Sequence, residues 1–453
     1  MKYAILSLAI CCFAVPALRA DESRPNIIVI LADDLGYADI GCYGNQKNKT
    51  PVLDQMAREG MMFTDFHANG PMCSPTRAAL MTGQYQHRVG IEAALPIDDA
   101  GLPQSADTFP ERLQEAGYAT AIMGKWHLGD LEGSNPVHHG FDEFRGHLTS
   151  ATDYRSHIDR NGKYDWYHNE KIVRHGRYNT EEITNDSVTY IREHADKPFL
   201  LYVSHSAIHF PWMKPGDQAY REQGGDYNNF TKLGPRGEEE DVTDVVRAMV
   251  ESLDASTGEI LHAVQETGIA EKTLVIFTSD NGGYRNYSGL HAGQISDNGV
   301  YRGQKTQVYE GGHRIPTIAW WPGKIAAGVT TDETTMTMDL VPTILQLAGI
   351  DPVEAEFVTE GLDLRALLFD QKPLPERKYL YWRIGSGAAV RSGEWKLVRG
   401  REDKLELYNL QEDPSESHDL ATAEPARVTE MLDALKAWEA DVDQSAAQLQ
   451  DAK

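Results

Sequence analysis

Two polar pairs, Asp33–Asp34 and Asp280–Asn281, each follow directly on an apolar run. If the two runs are neighbouring strands, four hard oxygen donors meet, a set that suits calcium or magnesium better than a soft metal. A second group is cationic. Lys125 and His127 stand two apart in GKWHLG, so on an extended segment they point to one side. His205 and His209 flank the end of another apolar run, and Lys305 lies in YRGQKTQVYEGGHRIP. Arg77 follows Cys73 by about one helical turn in CSPTR, where a helix start would add free N–H donors. Taken singly, each of these residues also reads as a cap, a turn or a packed side chain. Gathered at strand ends, they make a pocket for a tetrahedral oxyanion beside a divalent cation.

The elements that must gather them are legible as apolar runs. Asn26–Ala32, Ala119–Met123, Phe199–Val203 and Thr273–Thr278 each read as a buried parallel strand and end in polar residues. Helical patterns lie between them, at Asp107–Ala116 and Val245–Val264. Strands alternating with helices predict an α/β fold, with a large, mostly parallel sheet sandwiched by helices and its site at the strand C-termini. The stretch 142–185 shows little periodicity and predicts loops over the site, with a hairpin turn at Arg160–Gly162. The end of the chain differs. GAAVRSGEWKLVRG and DKLELYNL read as antiparallel strands, and Val428, Met431, Leu432, Leu435 and Trp438 share a helical face. The expected organisation is a leader over 1–20, a catalytic domain over 21–367 and a smaller α+β domain with an antiparallel sheet over 368–453.

The leader reading comes from MKYAILSLAICCFAVPALRA: one cation, a short apolar run, then small residues ending at Ala20. It predicts export to the periplasm or beyond. No run is long enough to span a bilayer. Only Cys42 and Cys73 lie beyond the leader, so an oxidising compartment is not used for a disulfide framework; a single Cys42–Cys73 bridge is the plain alternative. The formal net charge of −25 excludes nucleic-acid binding by general charge. It also means that a polyanionic substrate must be met by a local basic pocket or by screening.

The segment CSPTRAALMTG resembles the signature of the formylglycine-dependent type I sulfatases, in the alkaline-phosphatase-like superfamily, through Cys73, Pro75, Arg77, Thr82 and Gly83. Thr76 stands where serine is commonest. NIIVILADDLGYADIGCYG, GKWHLG, SDNGG, RGQKTQVYEGGHRIP and the tail RSGEWKLV…ELYNLQEDPSE resemble the family's other motifs, in the right order, from about Pro25 to Leu420. The resemblance implies that a maturation enzyme oxidises Cys73 to formylglycine, whose hydrate attacks the sulfur of a sulfate ester. The second hydroxyl then loses its proton, the aldehyde re-forms and sulfate leaves. It implies calcium on Asp33, Asp34, Asp280, Asn281 and the modified Cys73. Arg77 and Lys125 would hold the hydrate, His127 would be the base for elimination, His209 the leaving-group histidine, and Lys305 the ligand of the sulfate. Ser150 aligns with a family serine through GFDEFRGHLTS.

A sugar alkoxide is a poor leaving group, so a general acid is needed, which His209 fits. Tyr154, Arg155, His157 and Trp212, with Trp166, Tyr167, His168 and Lys214, are candidates for a sugar subsite, aromatic faces stacking and cations binding further anionic groups. The expected substrate is a sulfated carbohydrate, such as a marine algal polysaccharide or its oligosaccharides, with glycosaminoglycan fragments as the competitor. A phosphoester or phosphonate hydrolase and a non-catalytic glycan-binding protein are the alternatives from other classes.

Overall fold

A computed structural model describes residues 24–228 and 240–451; the expected leader lies outside them. The main sheet has ten strands. In spatial order they are Val329–Thr331, Met61–Phe63, Thr317–Trp320, Thr273–Ser279, Asn26–Ala32, Phe199–Ser204, Ala119–Lys125, Glu143–His147, Tyr167–His168 and Lys171–Ile172. The five from Thr273–Ser279 to Glu143–His147 run parallel. Thr317–Trp320 and Tyr167–His168 flank them in the antiparallel sense.

The period of two explains why the central strands read as continuous apolar runs. Ile28, Ile30 and Ala32 enter one core while Ile27, Val29 and Leu31 enter the other, and Leu201 and Val203 oppose Leu200 and Tyr202 in the same way. Helices Asn179–His194 and Thr243–Glu266 cover the first face. Cys73–Thr82, Phe109–Glu115 and Leu340–Leu347 cover the second. This is the expected α/β architecture. Among the described residues, no helix is long and apolar enough to cross a membrane.

The stretch 142–185 is more ordered than its sequence predicts. Glu143–His147 is a full strand, and the helix from Asn179 begins within it. The strand lacks an apolar run because Gly146 stands opposite Gly124, and a Cβ there would lie 1.8 Å from the Gly124 carbonyl oxygen. The helix buries Thr180, Thr184 and Ser187, and the last two satisfy their hydroxyls on carbonyls one turn earlier. These polar residues interrupt the apolar stripe of Ile183, Tyr190 and Ile191 on the same buried face and weaken it as a signal. The Arg160–Gly162 turn is present: Ile158 pairs with Tyr164, and Gly162 has φ +74°.

Toward the C-terminus, Leu380–Ile384, Gly387–Ser392, Trp395–Arg399 and Leu405–Asn409 form an antiparallel sheet. Helix Pro425–Asp451 covers it through Met431, Leu435, Trp438 and Val442, making a third core. The expected division at 367/368 falls within helix Arg365–Asp370, whose Leu367 and Leu368 belong to the second core. A buried polar seam joins the small sheet to the main body. Arg391 and Arg314 pair with Asp65 at 2.7 and 2.6 Å, and Lys396 pairs with Glu310 and Glu416 at 2.8 and 3.0 Å. Trp382 lies stacked on His313 and donates its indole N–H to the Ala68 carbonyl.

Candidate active site

The parallel strands Asn26–Ala32, Ala119–Lys125 and Thr273–Ser279 lead directly to Asp33–Asp34, Lys125 and Asp280–Asn281, so the register that pairs Ala32 with Ser279 brings the two acidic pairs together. Cys73 arrives from the second face as the first residue of its helix. Pro75 is tolerated there because the first turn needs no N–H from it. The Thr76 hydroxyl accepts from the Gly70 N–H and donates to the Gly70 carbonyl, bracing the approach to Cys73. Lys305 comes from the loop before Glu310–His313. That loop is tied to Gly283 by the Lys305 N–H and to Pro71 by the Thr306 N–H.

These side chains form a buried web of ion pairs. Lys125 Nζ lies 2.6 Å from Asp33, and Lys305 Nζ lies 2.5 Å from Asp34 and 3.3 Å from Cys73 Sγ. Arg77 donates to Asp280 at 2.8 and 3.2 Å through two nitrogens. Its remaining nitrogen reaches the Ser204 hydroxyl and the Lys125 carbonyl. Burial pushes the Cys73 thiol above its ordinary range, although Lys125 and Lys305 pull the other way. As a thiol it is therefore protonated and poorly nucleophilic. Burial alone would lower the Lys305 ammonium, but Asp34 and Cys73 hold it well above its usual value.

Two histidines border the web. His209 Nδ1 lies 2.8 Å from the Phe210 carbonyl, which assigns the proton to Nδ1 and leaves Nε2, 3.8 Å from Asp34, on the site side. His127 contacts the Leu95 carbonyl at 3.1 Å. Burial, then Lys125, pushes both well below the usual imidazole value. His205 turns away and meets Ser256 of helix Thr243–Glu266. Asp34 and His127 adopt φ +64° and +55°, a costly region for non-glycine residues that is concentrated at functional sites.

The donor set fits a hard divalent cation. Carboxylate oxygens of Asp33, Asp34 and Asp280 lie within 4.8 Å of one another, as do ligand atoms of Asp33, Cys73 and His209. Asp33 Oδ1 and Asn281 Oδ1 are buried without a hydrogen-bond partner. The Asn281 amide N–H groups already serve Asp34 and Gly282, so its oxygen is left as an unused acceptor, which a metal would satisfy.

The sulfatase family model matches residues 25–350, and the model of the N-sulphoglucosamine sulphohydrolase C-terminal region matches residues 299–441. The chain belongs to the sulfatase family. The chain of this sulfatase is 35% identical to N-acetylgalactosamine-6-sulfatase of Canis lupus familiaris over 82% of its length and 71% of that protein. It is 32% identical to arylsulfatase A of Homo sapiens, over 93% and 88%. Among solved structures, Ps i-CgsB in complex with k-i-k-neocarrahexaose superposes with a TM-score of 0.81 at 28% identity, covering 93% of this chain and 94% of that one. PsFucS1 sulfatase from Pseudoalteromonas sp. superposes with a TM-score of 0.73 at 26% identity, over 93% and 91%. The protein is a sulfuric ester hydrolase, and the family generally uses a metal ion and a formylglycine.

In this sulfatase, Asp33, Asp34, Cys73, Arg77, Lys125, His209, Asp280, Asn281 and Lys305 meet at one centre, with His127 beside Lys125. Cys42 and Cys73 are both free thiols. The residues expected in a sugar subsite lie as follows. Tyr154 is fully buried, and its hydroxyl donates inward to the carbonyls of Ser206 and His209, so it supports the His209 loop from below. His157 is buried against Trp166 and His175, and Trp212 against Tyr287 and His291. Arg155 stacks over Tyr178 and donates to the Asp217 carbonyl, and Ser150 lies half-buried in the loop after Glu143–His147. Ser204 and His147 were missed. Ser204 anchors Arg77 and donates to the Lys125 carbonyl, and His147 holds the Ser206 hydroxyl at 2.7 Å. Both end strands of the sheet, but only the strand before Ser204 was readable as an apolar run, so His147 had no such signal.

Proposed function

We propose that this sulfatase hydrolyses O-sulfate esters of carbohydrates after conversion of Cys73 to formylglycine, with calcium on Asp33, Asp34, Asp280, Asn281 and the modified residue. The observation that carries the reading is Lys305 Nζ in contact with both Asp34 and Cys73 Sγ, beside two unsatisfied buried oxygens. A buried, protonated thiol has no evident job here, whereas an aldehyde hydrate formed at the Cβ of residue 73, with loss of the sulfur, would supply the attacking oxygen and a second hydroxyl for release of sulfate. Bound calcium would supply Lewis-acid polarisation of the sulfate oxygens.

The chain's own residues account for the rest. Lys305 and Lys125 balance the sulfate charge without reorganising, since Asp34 and Asp33 already hold them. Arg77 orients Asp280 through two hydrogen bonds. His209 Nε2 is the site-side nitrogen; the neutral ring carries its proton on Nδ1, so Nε2 must first take up a proton before it passes one to the departing sugar oxygen, and His127 takes the proton when the aldehyde re-forms. A sulfated algal polysaccharide or its oligosaccharides is the proposed substrate, supported by similarity to Ps i-CgsB with its bound neocarrahexaose. A glycosaminoglycan fragment is the second reading, supported by similarity to N-acetylgalactosamine-6-sulfatase. The proposed location, periplasmic or extracellular, rests on the leader.

The test is sulfate release from defined sulfated saccharides, with calcium, by protein made in a host that contains a maturation enzyme. Peptide mass spectrometry reports the state of Cys73, and Cys73→Ala is the blank. Release that tracks conversion supports the reading. Converted protein that cleaves phosphate esters and no sulfate ester overturns it.

A further inference from the structure

Tyr154, His157 and Trp212 are buried, whereas Tyr284 and Tyr287 near the centre are partly exposed. We propose that Tyr287, backed by Tyr284, is the saccharide-recognition face of this site, selecting a pyranose ring with free hydroxyls beside its sulfate ester. The proposal rests on the sulfatase reading of Cys73.

Tyr284 borders the reacting centre: Lys305 Nζ lies 5.3 Å from its ring centroid. Tyr287 packs against Tyr284 with centroids 4.9 Å apart and meets Phe210 edge-on at 4.9 Å. Phe210 in turn lies stacked on His209 at 4.4 Å. The rings therefore form one wall running from the leaving-group histidine to the sulfate-binding lysine. A sugar oxygen leaving toward His209 carries its ring along this wall. The backbone fixes Tyr287 there. Its N–H and carbonyl both pair with Leu290 across a tight turn in which Ser288 and Gly289 have φ +53° and +88°. Such a turn holds a side chain in one place.

Both tyrosines are half-buried, and neither hydroxyl has a hydrogen-bond partner among the described residues. Tyrosines that only pack usually bury their rings and satisfy their hydroxyls, as Tyr154 does here. Burial pushes the Tyr287 phenol up to about 12, so it stays neutral and can both donate to and accept from a sugar hydroxyl. The ring offers a stacking face and the hydroxyl a directional contact, a pairing that suits a saccharide better than a flat aryl ester.

The test compares kcat/KM for k-i-k-neocarrahexaose and N-acetylgalactosamine 6-sulfate with that for 4-nitrophenyl sulfate, in the parent and in Tyr287→Phe and Tyr287→Ala. Tyr287→Ala is expected to lower the saccharide-to-aryl ratio by at least about tenfold, mainly through KM, and Tyr287→Phe by about threefold. Calorimetry of the same saccharides with Cys73→Ala protein, with and without Tyr287→Ala, reads affinity apart from turnover, and about a tenfold weaker Kd is expected. An unchanged ratio with unchanged Kd overturns the proposal. So does a parallel loss of kcat on both ester types, which marks a structural role. If the parent cleaves no ester but the Kd shift is seen, the hydrolytic reading fails and the assignment of Tyr287 stands.

Discussion

Lys305 Nζ touches Asp34 and Cys73 together, so its removal leaves a buried carboxylate unpaired and the sulfate without its nearest cation. Lys305→Met is expected to lower kcat on any sulfate ester by about 10²–10³, the usual loss of one preorganised donor, while far-UV circular dichroism stays unchanged. His209 gives a different signature. His209→Gln should slow a sugar sulfate far more than 4-nitrophenyl sulfate, because the nitrophenolate needs no proton to leave. A plot of rate against leaving-group pKa should therefore steepen, and equal losses on both esters would remove the acid role. His209 was legible because it lies just past an apolar run, and Lys305 because the motif around it resembles one of the sulfatase family's. The sugar-facing residues were not. Composition marks Tyr154, His157 and Trp212 as aromatic or imidazole groups in a loop-like stretch. It does not say that the Tyr154 hydroxyl turns inward, or that the Tyr287 hydroxyl has no partner among the described residues.

At the scale of elements, the small C-terminal sheet holds the approach to Cys73. Trp382 donates to the Ala68 carbonyl five residues before Cys73, and its ring lies 4.1 Å from that of His313, whose own carbonyl receives the Ala68 N–H. Trp382→Ala should cost about 3–5 kcal/mol in urea unfolding and lower activity as well, since the cavity opens beside Ala68 and His313, on the approach to Cys73. Asp65 carries a pH signature in the same seam. Burial alone would raise its carboxyl, yet Arg314, Arg391 and His67 hold it well below the usual carboxylate range. Its contribution is thus complete above the unfolded value of about 3.9 and is lost as pH falls through the lower folded value. Asp65→Asn should lose about 3–5 kcal/mol at pH 7, and the gap to the parent should narrow below about pH 4. The strands on either side of the seam were readable from alternation. The seam was not, because Asp65, Glu310, Lys396 and Glu416 lie far apart in the chain and carry no pattern of their own.

At the scale of the molecule, two buried clusters among the described residues could by residue type hold a metal, and their charges separate them. His67, Glu310 and His313 also lie within ligand range of one another. Lys396 already occupies Glu310, Glu416 and His313, and Arg391 contacts His67, so a divalent cation there would meet fixed positive charge. At the Asp33 centre two oxygens are still unsatisfied. Chelation followed by dialysis should therefore lower both Tm and activity, and calcium should restore them. A gain of about 2.7 kcal/mol is expected when free calcium is 100-fold above its Kd. Restoration in Asp280→Asn equal to that of the parent would place the ion elsewhere. The fold class was legible because each central strand is an apolar run with a polar end. The ten-strand order was not, since the order in space departs from the order in the chain.

That crossing order sets a schedule for biosynthesis. Cys73 ends up 1% exposed, yet the groups that enclose it come from Lys125, His209, Asp280 and Lys305, and the seam beneath it closes only with Lys396 and Glu416. Long-range parallel pairing is slow to form. While the ribosome still has these later segments to make, CSPTR is a short, open peptide. The conversion proposed for Cys73 belongs to that interval, since the folded chain buries the residue almost completely.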